Sequence, residues 1–167
     1  MSYFKRFPQY ITNTVDNTSI VMTDFFRRTQ FGSRFNDVSV ALIPYLILDG
    51  ETPESVSNKF YGSPHFHWVV LQVNNMVNRY NEWPLPNRTI TELTNDHYGE
   101  DNLNDIHHYI DVQTGYEVDY NEDSVFQYPV TNLEYEIGLN DAKRNIRILD
   151  AKFLNQVVRE FDSLIGR

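Results

Sequence analysis

Acidic side chains and histidines are the residue types with which this chain could do chemistry. Two carboxylates flanking a glycosidic bond would perform glycoside hydrolysis, and the sequence holds 23 Asp and Glu. None of them sits in a recognisable setting, and spacing along a chain does not place two of them at either side of a sugar. Five histidines could hold a metal. His65 and His67 are two apart on an expected helix and diverge; His107 and His108 are neighbours on an expected strand and should point to opposite faces. Asp119-x-Asn121-x-Asp123 begins like a calcium-binding loop, but the sixth position is Ser124 where glycine is needed and the twelfth is Val130 where a glutamate is needed. There is no Gly-x-Ser-x-Gly elbow, no phosphate-binding loop and no Gly-x-Gly-x-x-Gly. No catalytic, metal-binding or cofactor-binding residues are expected, and no enzyme activity.

Composition narrows the partners. The chain of 167 residues carries 14 Lys and Arg against its acids, a formal charge of −9. Binding to a nucleic-acid backbone needs clustered cations to displace counterions, so neither nucleic acid nor an anionic membrane is an expected partner. Aromatic residues reach 14%, with 11 Tyr and 11 Phe. Such side chains bring large contact area with few rotors, and they suit a small core and a protein interface equally. With no cysteine, a disulfide framework is ruled out. The first residues lack an apolar run of signal-peptide length, and no stretch of about 18 apolar residues suggests a membrane span.

The elements that would carry such surfaces can be read in order. Residues 1–36 look like an arm, with Tyr3, Phe7 and other aromatics scattered without a sustained period; Thr23-Asp24 could cap a helical turn through Arg28. Val38, Val40 and Leu42 alternate as in a half-buried strand, and Pro44 interrupts before Tyr45, which fits two short strands or one bent edge strand. Tyr45 to Leu48 reads as a short apolar strand ending in the turn Asp49-Gly50. Thr52 and Pro53 then suit the cap and first position of a helix, which Gly62 ends. Ser63-Pro64 repeats that signal for a second helix running to about Asn74. After a loop anchored by Trp83, Thr89-x-x-Glu92 looks like a capping box that opens a helix ending at Gly99. His107–Val112 and Tyr116–Tyr120 flank a turn at Gly115 and should form a hairpin. Val125–Val130 is extended, and Thr131-x-x-Glu134 opens a further helix. Arg144–Leu149 alternates, and pairing with the strand at Tyr45 would close a strand–helix–helix–strand sheet around an insertion. Asp150 caps a last helix whose apolar stripe includes Phe161.

The stretch Tyr45-x-Ile47-x-x-Gly50-Glu51-Thr52, with Val56, Phe60-Tyr61-Gly62 and Asn74-Asn75, resembles the LysM module. Tyr61-Gly62-Ser63-Pro64 followed by Trp68 is similar to the LysM variant of phage tail proteins. Met22-Thr23-Asp24-Phe25-Phe26-Arg27 ahead of it, and Leu139 to Leu149 (LNDAKRNIRIL) with a closing amphipathic helix after it, complete an ordered set. Together they resemble the LysM-like baseplate wedge proteins of T4-type contractile-tailed phages, least closely between about Pro86 and Val130.

Pattern and resemblance imply an α+β fold. Its parts are an N-terminal arm (1–36), a discontinuous LysM-like βααβ core (37–80 and 144–149), an insertion with helix, hairpin and helix (81–143), and a C-terminal amphipathic helix (150–167). The resemblance implies a structural subunit that clamps the inner baseplate and helps join neighbouring wedges around the hub. Its implied neighbours are the forked wedge-core protein, the core helical bundle and the sheath initiator, with the central hub as a further one. Its place would be the tail baseplate of the virion, and the host cytoplasm during assembly. Tyr3, Phe7, Phe25, Phe26, Trp83 and Phe161 are the candidate interface anchors. The alternative is a module that binds peptidoglycan, an N-acetylglucosamine polymer, in a groove formed by Gly50, Glu51, Thr52, Pro53 and Asn74.

Overall fold

A computed structural model describes residues 3–24 and 42–165. The fold is α+β. Its elements are β1 (Gln9–Asn13), β2 (Ser19–Thr23), β3 (Leu42–Leu46), α1 (Pro53–Tyr61), α2 (His67–Val73), α3 (Arg79–Glu82), α4 (Asn87–Tyr98), β4 (Ile106–Asp111), β5 (Glu117–Val118), β6 (Gln127–Thr131), α5 (Asn132–Asp141), β7 (Asn145–Leu149) and α6 (Leu154–Ile165). The chain divides into two compact units. The first comprises Met1–Tyr45, Glu51–Arg79 and Ile146–Arg167; the second comprises Leu46–Gly50 and Tyr80–Asn145.

The first unit has the hydrophobic core. Thr52 caps α1 by accepting the Ser55 N–H, and Ser55 returns the bond to the Thr52 N–H, with Pro53 at the first helical position. Gly62 ends the helix at φ 68°, a left-handed conformation that a side chain would strain. Ser63 then caps a short 3-10 turn, Pro64–Phe66, that leads into α2. Strands β3 and β7 pair in a two-stranded sheet, the pairing expected from the alternation in residues 144–149. The first of these strands begins earlier than expected, at Leu42, and runs through Pro44. Phe7, Trp68, Val69, Leu149, Leu154, Val157, Phe161 and Ile165 form one buried cluster. The stripe of α6 supplies four of these, and Trp68 and Phe161 lie with ring centroids 4.3 Å apart. Asp150 caps a 3-10 turn, Ala151–Phe153, and α6 follows it directly.

The N-terminal segment departs from the sequence expectation. Residues 9–23 are a β-hairpin, with Tyr10 opposite Met22, Ile11 opposite Val21 and Thr12 opposite Ile20. Thr23 is the last residue of β2. Before the hairpin, a 3-10 turn (Tyr3–Arg6) brings Tyr3 and Phe7 onto the Trp68–Phe161 pair. Arg6 fixes that turn, with its Nη1 2.6 and 2.7 Å from the two carboxylate oxygens of Asp162. The expected strand positions Val38 and Val40, and the rest of the expected turn through Arg28, lie outside the described residues.

The second unit is built differently. Its buried side chains include Ile47, Trp83 and Ile90, but also Thr94, Asn132, Asn140 and Arg144. Buried polar groups need partners, and these four side chains have them. Asn140 accepts the Leu85 N–H at 2.8 Å and donates to the Leu85 carbonyl at 2.9 Å. Arg144 donates to Asp141 at 2.6 Å, to Asn87 at 2.9 Å and to the Ile47 carbonyl at 3.4 Å. Asn132 donates to the Asn102 carbonyl at 2.8 Å.

Two local readings are corrected in this unit. The Thr89-x-x-Glu92 capping box does not form. Helix α4 starts three residues earlier, after Pro86, and the Asp49 carboxylate accepts its Asn87 N–H at 2.9 Å; Glu92 pairs with Arg88 instead. His107 and His108 do not diverge. The ladder between β4 and β6 shifts register between Ile106 and His108, and the irregularity brings the two Nδ1 atoms within 2.8 Å, against the ring of Tyr135. The capping box at Thr131 and Glu134 is present and opens α5.

Two variants test this core. Asn140→Leu keeps the bulk but orphans both backbone groups of Leu85, and should cost about 2–4 kcal/mol in urea unfolding. Trp83→Ala should cost about 3–5 kcal/mol, as for a buried aromatic, whereas Tyr116→Ala, at a position 75% exposed, should change stability by less than about 0.5 kcal/mol. Equal urea midpoints for the Trp83 variant and the parent would remove Trp83 from the core.

Candidate interaction surface

Among the described residues no three metal-ligating side chains come together. The sites to weigh are therefore surfaces, and the glycan groove comes first. Thr52 is the α1 cap, and Pro53 is buried. Gly50 has φ 74° in the turn after β3. The Glu51 carboxylate accepts from the Tyr45 hydroxyl at 2.6 Å and from Lys59 Nζ at 3.3 Å. Partial burial, with the Glu51 contact, raises the Tyr45 phenol above its ordinary value. The hydrogen bond to Tyr45, with Glu51 beside it, raises Lys59. Asn74 is more committed still. Its amide donates to the Val70 and Arg147 carbonyls, both at 2.8 Å, and its oxygen accepts the Arg147 N–H at 2.8 Å. One donor of Asn74 is thus spent on closing the end of α2, the other donor and the oxygen on holding α2 to β7, and Thr52 on starting α1.

The aromatic anchors expected from sequence fall into three groups. Phe7, Trp83 and Phe161 are buried in their own units. Tyr3 is partly buried, its ring 5.7 Å from both Trp68 and Phe161. Phe25 and Phe26 lie outside the described residues.

The apolar surface that the described residues do expose lies elsewhere. Hairpin β1–β2 has no buried residue, and Tyr10, Ile11, Ile20, Val21 and Met22 are exposed. In the second unit, the three-stranded antiparallel sheet β5-β4-β6 also has no buried residue in any strand. Its register puts Ile110 opposite both Glu117 and Tyr128. The Val112 N–H donates to the Phe126 carbonyl and carries the same register one pair further. Ile110, Val112, Phe126 and Tyr128 therefore share one face with Glu117. Tyr128 donates to Glu134 at 3.0 Å, and that bond raises the phenol. The Thr131 N–H, with Tyr128 and the Thr131 hydroxyl, holds the Glu134 carboxyl below the ordinary range.

These residues were within reach of the sequence, because the alternation around Gly115 and the extended run to Val130 mark the strands. What alternation does not reveal is whether an apolar side of a sheet will be covered. That depends on where α5 packs, and Tyr135 of α5 meets the sheet at its His107–His108 end.

Comparison with known proteins supports the resemblance to baseplate wedge proteins. Residues 2–129 match the family described as base plate wedge protein 53 of phages. Baseplate wedge protein gp53 of Enterobacteria phage T4 is 31% identical over 77 residues, which cover 45% of this chain and 39% of that protein. The chain thus aligns with about two fifths of that relative's length. Because the family match runs from the N-terminal turn through the strands of the second unit, this chain belongs to the base plate wedge protein 53 family.

Proposed function

We propose that this chain is a structural subunit of a contractile phage-tail baseplate. It clamps the inner baseplate and helps join neighbouring wedges by protein–protein contacts. The observation that carries the reading is the family match over residues 2–129. The surfaces support it. Two sheets without a buried residue present apolar side chains to solvent, and a contiguous exposed apolar patch is a feature of protein interaction sites. The order β3, α1, α2, β7, with β3 and β7 paired, supports reading this part of the chain as a LysM-like unit. Here such a unit serves as a protein-binding wedge. The commitment of Asn74 and Thr52 to backbone groups weighs against the peptidoglycan alternative. Its neighbours are the forked wedge-core protein, the core helical bundle, the sheath initiator and the central hub. It acts in the baseplate of the virion after assembly in the host cytoplasm, without catalysis.

A specific interface buries on the order of 1,200–2,000 Å², and several separate surfaces on one small chain allow it to bridge several partners. Co-expression with the other baseplate proteins of its genome, followed by native mass spectrometry, should yield complexes of fixed stoichiometry containing this chain. If the other proteins assemble among themselves and this chain stays monomeric, the reading fails. Retention on purified peptidoglycan would then favour the glycan-binding alternative.

A further inference from the structure

We propose that the open face of the β5-β4-β6 sheet docks a Lys- and Arg-rich segment of a neighbouring baseplate protein; this rests on the baseplate reading above. A small sheet is stable when one face is packed against another layer. Here the face that carries Ile110, Val112, Phe126 and Tyr128 is half-buried at His108, Ile110 and Val130 and exposed at Val112, Glu117, Phe126 and Tyr128. Phe126 and Tyr128 are 50% and 47% exposed. A second layer supplied by a partner would cover them.

Charge decides which partner. The second unit holds fifteen acidic residues, and its only basic ones are Arg88, Lys143 and Arg144. Of the whole chain's 23 acids and 14 bases, that leaves eight acids and eleven bases for the first unit. The acidity of the protein is therefore the acidity of this one unit. Glu117 of β5 stands on that face opposite Ile110, and the exposed residues Asp119, Glu122 and Asp123 follow it in the loop that leads to β6. An acidic partner would have to approach through this field, and like charges repel. A basic segment is drawn in instead. Its side chains can lie over the rings of Phe126 and Tyr128 while their cationic ends meet the surrounding carboxylates, so that aromatic and acidic residues serve one ligand chemistry. Attraction of this kind also speeds encounter and weakens as salt rises.

The test uses the full chain, with a photo-reactive benzoylphenylalanine in place of Phe126, inside the co-expressed baseplate complex. The expected product is a cross-link to another baseplate protein, in a peptide with more Lys and Arg than Asp and Glu. Glu117→Gln combined with Glu122→Gln and Asp123→Asn changes only exposed side chains. Those changes should weaken association with the cross-linked partner at least tenfold at low salt and flatten its salt dependence. A cross-link to an acidic or neutral segment, or to a second copy of this chain, overturns the proposal. So does a silent Phe126 probe in a complex that has formed, and the baseplate reading then stands without it. If no complex forms at all, the baseplate reading itself fails and takes this proposal with it.

Discussion

Two asparagine side chains do work that a longer strand would otherwise do, and both units rest on them. A primary amide has the same donor and acceptor pair as a peptide group, so it can satisfy both backbone groups of one residue at once. In the first unit Asn74 does this for Arg147, at 2.8 Å in each direction. In the second Asn140 does it for Leu85, at 2.8 and 2.9 Å. The need is plain in each case. The β3–β7 sheet has two strands, and β7 is the strand from which Asn74 takes its partner. Leu85 lies in the Pro84-Leu85-Pro86 turn, where its two neighbours have no N–H to offer. An unpaired backbone group in such places costs about 1–3 kcal/mol.

Where a device is local, it can be read from the sequence. The Thr52–Ser55 and Thr131–Glu134 caps, the stop at Gly62 and the turn at Gly115 each depend on residues within four positions of one another. The α6 stripe is equally local, and its buried residues are those its spacing suggests. The failures have the opposite character. Helix α4 is capped by Asp49, which is 38 positions away, so the nearer Thr89–Glu92 signal misleads. The pairing of Gln9–Asn13 with Ser19–Thr23 joins residues that show no clean alternation, because neither face of that hairpin is buried. His107 and His108 are displaced by a single irregularity of register that no residue type announces.

Aromatic residues divide along the same line. Composition tells that they are abundant, but not which are core. Phe161 and Trp68 could be placed by helix periodicity, and they form the centre of the first unit. Trp83 is buried by tertiary folding of a loop that has no period at all. Tyr116, Tyr120 and Phe126 stay exposed beside a sheet whose strands hold no buried residue. An aromatic-rich composition is thus compatible with core and surface together, and only the packing separates the two.

The contrast between the units has a physical consequence for a structural protein. The first unit draws its stability from apolar area, which is strong and tolerant of small changes in geometry. The second draws more of it from directed bonds to Asn132, Asn140 and Arg144, and such networks hold one arrangement or lose much of their worth. A component that must present a fixed acidic and aromatic face to a partner gains from that rigidity, because little ordering entropy is then left to be lost on binding. The same economy explains why the uncovered sheet can remain folded before assembly. Its strands are anchored at one end, where Asn132 N–H donates to the Asp105 carbonyl and Tyr135 stacks on His107. The end that carries Val112 and Phe126 is thereby left free for a neighbouring chain to complete.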